Sequence, residues 1–354
     1  MSIFFAILIF LGFIFLLISM KDDKKDAPIR SNSLPVLGKI EAQELNSLPV
    51  LGKIEAQGPN SPRDYYNRGL AKYSLGDYQG AIDDFNAALK INPNDAVGYY
   101  NRGTAKYSLG DYQGAINDNS AALKINPNFA DAYYNRGTAK SDLGDKQAAI
   151  DDFNTALKIN PNDAVTYCNR GNAKSDLGDK QAAIDDFNAA LKINPNYTDA
   201  YYNRGTAKSD LGDYQAAIND FNTALKINPN DAVGYYDRGV AKSNLSDKQG
   251  AIDDFNAALK INPNYANAYS NRGAEKSDLG DYQGAIDDYN AALKINPNYA
   301  VAYSNRGAAK SNLGDKQGAI DDYSAALKIN PNFAIAYNNR EIVKSELDYD
   351  NVRD

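Results

Sequence analysis

The side chains that most often carry out chemistry in proteins are scarce in this chain. Its 354 residues include no histidine and no tryptophan, and Cys168 is the only cysteine. Without histidine a Ser-His-Asp or Cys-His catalytic arrangement is impossible, and a lone cysteine cannot form an internal disulfide. We also find no dense ligand spacing of the kind that metal sites use. The sequence therefore predicts a protein that is not an enzyme, with no catalytic residues, no metal site and no cofactor.

Arginine, lysine and aspartate recur at a fixed spacing that suggests ion pairing. Arg136 and Lys140 lie four residues apart, and Asp152 follows sixteen residues after Arg136; the same trio returns every 34 residues. Two like charges at i, i+4 on one helix repel each other by roughly a few tenths of a kcal/mol. We hypothesise a structural ladder in which each aspartate faces both cations. The alternative is that these charges are exposed and never meet.

Asparagine and tyrosine form a second recurrent set. We call the asparagines the amide row: Asn67, Asn101, Asn135, Asn169, Asn203, Asn271, Asn305 and Asn339, interrupted by Asp237. The tyrosine row stands directly before four of these asparagines and before Asp237: Tyr66, Tyr100, Tyr134, Tyr202 and Tyr236. An amide both donates and accepts hydrogen bonds, so a row of amides suits the main chain of an extended peptide.

These residues are positioned by a repeated pair of helices. Prolines from Pro93 to Pro331 follow one another at intervals of 34 residues without a gap. In the third copy Ala149, Ile150, Phe153 and their successors have the i, i+4, i+7 spacing of one helix face, with Asp145 before it as the N-cap. An earlier helix ends at Gly144, a C′ residue. Since helices this short are unstable alone, the pairs must stack on one another.

The pattern resembles the tetratricopeptide repeat. That family has an aromatic residue at repeat position 4, Gly at 8, Ala at 20, an aromatic at 24, Ala at 27 and Pro at 32. The third repeat matches with the following residues: Tyr133, Gly137, Ala149, Phe153, Ala156 and Pro161. The resemblance covers eight full repeats, residues 62–333, and a truncated ninth within 334–354. It implies an all-α fold, a right-handed α-solenoid superhelix of antiparallel helix pairs.

The resemblance also implies that the first helices of the pairs line a concave groove. The amide row would then resemble the asparagine ladder of O-linked N-acetylglucosamine transferases, which grips peptide main chain. The alternative is that these asparagines bond between repeats or merely reflect recent duplication, and that the tyrosines pack between helices. Cys168 would be exposed in the groove, without a redox role. The chaperone-binding members need Lys and Asn where this chain has Tyr66 and Leu70, so we predict no chaperone-tail binding.

The expected groove changes character along its length. Tyr73 and Tyr107 make its N-terminal end aromatic, whereas aspartates such as Asp176 and Asp278 make the later part acidic. An acidic lining favours a neutral or basic peptide ligand. The net charge of −7 argues against nucleic acid as the main partner, because phosphate binding requires a basic surface.

Three departures from the repeat pattern predict local differences. Asn119 replaces the aromatic residue in the second repeat, which predicts a packing defect or a satisfied hydrogen bond in the core. Ser246 replaces the turn glycine in the sixth repeat. Glu341 replaces the glycine of the ninth, which has no second helix, and we interpret Ala334 to about Leu347 as a polar cap.

The N-terminal part differs from the array. Ile3–Met20 has no charge and is long enough to cross a bilayer. We interpret residues 1–20 as a membrane anchor, with a cleaved signal peptide as the alternative. The lysines that follow it predict a cytoplasmic repeat domain; signal cleavage would make it secreted, lumenal or periplasmic instead. Residues 21–61 form a linker that contains NSLPVLGKIEAQ twice, at Asn32–Gln43 and Asn46–Gln57.

Together these features predict a membrane-tethered scaffold that binds an extended protein or peptide segment in its groove, for example during complex assembly. The alternative from another class is a structural role, in which arrays associate with each other and the groove holds no ligand. The linker repeat is either a slipped duplication that lengthens a tether or two copies of a docking motif.

Overall fold

The computed structural model describes residues 61–353, with side chains up to residue 350. Over this range the chain forms seventeen α-helices and no strand, which confirms the all-α prediction for the described residues. The proposed anchor and the linker lie outside them. None of the described helices combines the length and the apolar character that a bilayer crossing requires. Two compact units are distinguished, residues 61–211 and 212–353.

The first unit contains nine helices in the described range. Odd numbers denote the first helix of a repeat (A helix) and even numbers the second (B helix). They are α1 (Pro62–Ser74), α2 (Tyr78–Ile91), α3 (Ala96–Ser108), α4 (Tyr112–Ile125), α5 (Ala130–Asp142), α6 (Lys146–Ile159), α7 (Ala164–Asp176), α8 (Lys180–Ile193) and α9 (Thr198–Asp210). Each B helix packs against its own A helix and the next one.

The second unit continues the same order of A and B helices. They are α10 (Tyr214–Ile227), α11 (Ala232–Asn244), α12 (Lys248–Ile261), α13 (Ala266–Asp278), α14 (Tyr282–Ile295), α15 (Ala300–Asn312), α16 (Lys316–Ile329) and α17 (Ala334–Arg353). Neighbouring helices in this unit pack in the solenoid arrangement of tetratricopeptide repeats.

The turn between A and B helices follows local rules. In the third repeat Gly144 has φ +89°, the left-handed conformation that glycine adopts without strain. Asp145 then caps α6, its side chain accepting a hydrogen bond from the N–H of Ala148 at 3.2 Å. In the sixth repeat Ser246 takes the same left-handed conformation, with φ +63°. The predicted substitution therefore places a serine where the backbone favours glycine.

Close approach of the two helices explains the glycine at position 8. A Cβ added to Gly137 would lie 2.8 Å from Cε1 of Phe153, too close for any side chain without movement. Ala149, Ile150 and Ala156 are buried around the Phe153 ring. Burying a ring of this size stabilises the fold by about 1.5–3 kcal/mol. The same core recurs in each repeat except the second.

In the second repeat Asn119 fills the place of the ring and is fully buried. Its Nδ2 donates to the carbonyl oxygen of Ala115 at 2.9 Å, whereas its Oδ1 has no hydrogen-bond partner among the described residues. Of the two predicted outcomes the structure shows the hydrogen bond, and only half of the amide is satisfied.

Helix α17 caps the second unit and is longer than predicted. The expected end near Leu347 is wrong, because α17 continues to Arg353. No glycine or proline follows Leu347, so no residue stops the helix. Glu341 is exposed and bonds to Arg340 and Lys344 at 3.0 and 3.1 Å. A charged face thus replaces the surface on which a B helix would pack.

Candidate functional site

The amide row makes hydrogen bonds between neighbouring A helices. Three members donate from Nδ2 to a tyrosine hydroxyl of the preceding repeat. These pairs are Asn101 with Tyr66 (2.5 Å), Asn169 with Tyr134 (2.8 Å) and Asn271 with Tyr236 (3.0 Å). The structure therefore contains the inter-repeat hydrogen bonds that were the alternative to peptide binding, and these bonds fix how each amide is oriented.

Two further amides also bond to the preceding A helix, and one of them, Asn135, bonds to the Tyr100 hydroxyl as well. Asn135 donates to Oγ1 of Thr104 at 3.0 Å, and Asn203 donates to Oδ1 of Asn172 at 2.9 Å. Asn101 and Asn135 are only 1% and 2% exposed, and within the described part of the chain their Oδ1 atoms have no hydrogen-bond partner. Each of these two amides therefore keeps one buried acceptor without a donor among the described residues.

The tyrosine row lies deeper than the groove interpretation requires. Tyr100, Tyr134 and Tyr236 are buried, and Tyr66 and Tyr202 are half-buried. The Tyr134 ring packs against Phe153 with centroids 6.0 Å apart. Burial, reinforced by the charge of Asp95, raises the pKa of the Tyr66 hydroxyl well above its ordinary value. The three buried rings therefore belong to the core, and their hydroxyls meet the amide row.

The expectation that Cys168 is exposed in the groove is wrong. Its side chain is 1% exposed and packs with Phe187 and Ala200 in one core cluster. Burial raises the pKa of the thiol to about 12. Because the thiolate is the reactive form, a thiol in this environment is inert.

The amide row is more open in the second unit. Asn271 and Asn305 are half-buried, and so are Ala274 and Ala308 at the position three residues after each. The equivalent Thr138 of the third repeat is buried. Half-exposed amides next to small side chains leave room for a peptide main chain to approach.

The predicted ladder of charges is present. Asp152 accepts hydrogen bonds from Nε and Nη2 of Arg136 at 2.9 and 2.6 Å, and lies 2.7 Å from Nζ of Lys140. The same trio forms around the following aspartates: Asp84, Asp118, Asp186, Asp254, Asp288 and Asp322. Burial raises the pKa of Asp84, but hydrogen bonds and charges from Arg68 and Lys72 outweigh it, so the pKa is lowered.

After the first repeat, the ladder arginines also join their repeat to the preceding one. Nη1 of Arg170 donates to Oδ1 of Asn154 at 2.7 Å, on the preceding B helix. The guanidinium lies over the Tyr167 ring, 5.3 Å from its centroid, a cation–π contact. One side chain thus connects two repeats and an aromatic ring, which explains why apolar residues do not occupy this position.

The predicted acidic lining is largely paired. Lysines at the start of B helices reach the aspartate that ends the next A helix: Lys146 with Asp176 (2.9 Å), Lys180 with Asp210 (2.9 Å) and Lys248 with Asp278 (2.5 Å). Asp142 instead accepts a hydrogen bond from the Tyr107 hydroxyl. Sequence analysis missed these pairs, although each such lysine precedes an acidic residue by about 30 positions. These aspartates therefore contribute less negative charge than predicted.

One buried carboxylate stands outside the ladder. Glu275 occupies a position that is alanine in the other full repeats and is 3% exposed. Its Oε1 accepts a hydrogen bond from the Ser243 hydroxyl. Burial raises the pKa of Glu275 above its ordinary value, although the Ser243 hydrogen bond opposes the shift. The described residues contain no cluster of side chains that could hold a metal ion.

Comparison with known families agrees with this geometry. A profile described as Tetratricopeptide repeat matches residues 62–95, 130–163, 164–197, 198–231, 266–299 and 300–333, more than half of the chain. The chain belongs to the tetratricopeptide repeat family. A second profile of that description matches residues 232–265, and one described as TPR repeat matches residues 103–144. Among curated proteins, no sequence relative matches the chain.

Solved tetratricopeptide repeat proteins share the fold. The C-terminal part of a repeat protein from Cytophaga hutchinsonii is 18% identical, with a TM-score of 0.57 over 68% of this chain and 98% of that one. The APC/C hetero-tetramer Cut9–Hcn1 is 18% identical, with a TM-score of 0.54 over 82% and 56%. YrrB, a TPR protein with an unusual peptide-binding site, is 23% identical, with a TM-score of 0.48 over 53% and 97%. At 18% identity the similarity to the first two concerns the fold alone.

Proposed function

We propose that this chain is a non-enzymatic scaffold that binds an extended segment of a partner protein along its A helices. Proteins of the tetratricopeptide repeat family generally mediate protein–protein interactions. The observation that carries the proposal is the fixed orientation of the amide row. Nδ2 of Asn101, Asn169 and Asn271 donates to a tyrosine of the preceding A helix, and this bond sets the direction in which each amide faces.

Repeats seven and eight provide the most accessible part of this surface. Asn271 and Asn305 are half-exposed, and Ala274 and Ala308 beside them are too small to block a main chain. The pairing of Asp278 with Lys248 reduces the local negative charge. A neutral or weakly basic segment suits such a surface, whose specificity comes from hydrogen bonds to the main chain rather than from charge.

The test is selection from a library of displayed peptides with the full chain in detergent. The test variant is Asn271→Ala with Asn305→Ala. The matched control is Asn264→Ala with Asn298→Ala, which changes exposed turn residues of the preceding repeats. We expect the control to select the same peptides as the wild type and the test variant to lose them. Equal selection by all three proteins would refute the amide row as the binding surface.

Self-association is the second candidate, and exposed leucines favour it. Leu109, Leu143 and Leu177 directly follow successive A helices and are 50%, 51% and 54% exposed. A row of apolar side chains along one edge is a feature of association surfaces. If sedimentation velocity shows a concentration-dependent oligomer that Leu109→Ser with Leu143→Ser converts to monomer, while peptide selection fails, the structural role is correct.

The membrane tether through residues 3–20 is part of the same proposal. Its support is the uncharged run of eighteen residues Ile3–Met20 in the sequence. Resistance to carbonate extraction, lost when residues 1–20 are deleted, is the expected result. Protease accessibility of the repeats in sealed vesicles then tests the predicted cytoplasmic orientation.

A further inference from the structure

We propose that copies of this chain associate side by side, with the leucine edge of one first unit against the isoleucine edge of another. The leucine edge is the row of turns after the A helices, with Leu75, Leu109, Leu143 and Leu177. The isoleucine edge is the opposite row, where the B helices end in Ile91, Ile125, Ile159 and Ile193. The inference rests on the self-association candidate and deepens it, because it names the surface that covers the leucines.

Both edges carry exposed aliphatic side chains. Leu75 is 86% exposed, and on the other edge Ile91 and Ile193 are 55% and 37% exposed. Ile125 and Ile159 between them are half-buried. The A and B helices are antiparallel and 13 and 14 residues long, so the two edges lie about 20 Å apart. An apolar row that continues through several repeats is a feature of association surfaces.

A second copy of the chain presents these rows at a matching spacing. The leucines and the isoleucines both recur every 34 residues, once per helix pair. The two rows therefore share one period in space, on the order of 10 Å. When one copy is shifted along its helix axes onto another, the leucine row of the first meets the isoleucine row of the second in register. An unrelated partner has no reason to share this period.

Charge determines which edges face each other. Asp111 and Asp145 on the leucine edge are exposed N-caps, each bonded to a main-chain N–H three residues later. Lys124 and Lys158 on the isoleucine edge are also exposed. Within residues 61–353 none of these four side chains forms an ion pair. Two leucine edges would oppose aspartate to aspartate, and two isoleucine edges lysine to lysine. Contact between unlike edges brings opposite charges together.

Other charges of the two edges are engaged within the array. On the leucine edge Lys146 pairs with Asp176 and Lys180 pairs with Asp210, both at 2.9 Å. On the isoleucine edge Asp95 caps α3 through two main-chain N–H groups at 3.0 and 3.1 Å. These groups contribute less to the attraction between copies than the exposed aspartates and lysines do.

The size of an edge is sufficient for a specific contact. The first unit contains four complete helix pairs, each about 10 Å wide, and it is two helices thick, about 20 Å. One edge therefore offers about 800 Å², and a contact between two copies buries about 1,600 Å², the size of a standard specific interface. Because the two edges of one copy differ, the contact is heterologous and continues into an open row of copies.

Cysteine cross-linking of the full chain in detergent tests this contact. Cys168 is buried, so only introduced thiols react. Copies with Leu143→Cys are mixed with copies with Ile193→Cys and treated with a bismaleimide that spans one repeat. We expect dimers in the mixture, only traces from either variant alone, and a ladder of multimers from a chain with both cysteines. Asp151→Cys, exposed on a B helix, replaces Leu143→Cys as the control and should give no dimer with Ile193→Cys.

Sedimentation equilibrium with complementary variants tests the geometry without a cross-linker. Leu109→Ser with Leu143→Ser disables the leucine edge, and Ile91→Ser with Ile193→Ser disables the isoleucine edge. We expect the wild type to grow in mass with concentration and each variant alone to be monomeric. An equimolar mixture should stop at a dimer, because one intact edge of each kind remains. Dimer formation in the mixture also shows that both variants are folded.

Charge variants test the pairing of the two edges. Lys124→Gln with Lys158→Gln removes two exposed cations and should weaken association about 2- to 30-fold, the effect of two exposed ion pairs. The loss should shrink in about 0.5 M NaCl. The control Asn117→Asp with Asn219→Asp changes the net charge equally on exposed B-helix positions away from the edges and should leave association unchanged.

Failure of this proposal is distinguishable from failure of the proposed function. Dimers of Leu143→Cys alone that equal those of the mixture would show that like edges meet, and the heterologous contact would be wrong. If the wild type stays monomeric at every concentration, the edge contact and the self-association candidate both fail. In either case peptide selection at Asn271 and Asn305 still decides the scaffold proposal, because the amide row belongs to neither edge.

Discussion

Asp152→Asn is the substitution that tests the charge ladder most sharply. The Asp152 side chain is 6% exposed, whereas Arg136 and Lys140 retain 20% and 22% exposure. Asparagine keeps the shape but removes the negative charge, so two cations four residues apart remain without their anion. Removing one partner of a fully buried pair costs about 3–5 kcal/mol. Since water reaches both cations here, we expect about 2 kcal/mol.

Native-state hydrogen exchange is the appropriate assay, because repeat proteins open locally rather than in one step. A loss of about 2 kcal/mol corresponds to roughly 30-fold faster exchange in α5 and α6. The deficit should shrink at 0.5 M NaCl, because salt screens the repulsion between Arg136 and Lys140. The adjacent Asp151 provides the matched control, since it is exposed and, among the hydrogen bonds described, its side chain accepts only from Gln147, at 3.4 Å.

We expect Asp151→Asn to change stability by no more than about 0.5 kcal/mol. If Asp152→Asn exchanges at the same rate as Asp151→Asn at both salt concentrations, the ladder does not stabilise the array. A double-mutant cycle with Arg136→Met isolates the pairwise energy. A coupling energy near zero would likewise contradict the reasoning.

Three other substitutions test single features of the repeats. Asn119→Phe fills the incomplete core of the second repeat and removes the buried Oδ1, so the melting temperature should rise, with about 2–4 kcal/mol of added stability. Ser246→Gly relieves the left-handed backbone and should add about 1 kcal/mol in urea unfolding. Glu275→Ala removes a carboxylate whose pKa burial raises. It should add about 1–2 kcal/mol at pH 7.

The sign for Glu275 follows from proton linkage. A carboxyl group with a raised folded-state pKa contributes stability below its ordinary pKa of about 4.3, and this contribution is lost as the pH rises through the folded-state value. Glu275→Ala should therefore reduce the decline in the free energy of unfolding that occurs as the pH rises above about 4. Asp84 has a lowered pKa, so its contribution is present at neutral pH and lost in acid. Asp84→Asn should instead reduce the loss of stability at acid pH.

Ser246→Gly and Asn119→Phe are each checked separately. Gly144→Ser places serine at φ +89° in the third repeat. It should lower the free energy of unfolding by about as much as Ser246→Gly raises it. A drop in melting temperature for Asn119→Phe would show that the second core cannot accept a ring. We do not expect this outcome. In the sixth repeat Phe255 stands where Asn119 stands in the second, and Tyr236 contacts both Phe255 and Tyr265.

Features set inside one repeat were predictable from the sequence. The N-cap Asp145 and the turn glycine Gly144 both follow from rules about neighbouring residues in one helix pair. The pairing of Asp152 with Arg136 and Lys140 was also predictable, because the trio recurs with constant spacing. Repetition of a local pattern gives each such inference several independent instances.

Features set between repeats were not predictable to the same degree. The burial of Cys168 and Tyr134 depends on how closely successive A helices pack, and helical periodicity does not define that distance. The bridge between Lys180 and Asp210 joins two repeats, so it is invisible when each copy is analysed alone. The length of α17 was missed because the repeat pattern supplied an end point that the residues after Leu347 do not enforce.

The most direct test of the scaffold proposal is site-specific photocrosslinking in the native membrane. A photoreactive residue is placed at Ala274, beside the amide row, or at Asp287, which is exposed on a B helix. We predict a defined adduct from Ala274 that disappears when Asn271→Ala and Asn305→Ala are added. Adducts that form equally from Asp287, or that survive loss of both amides, would contradict the claim that the amide row holds a partner.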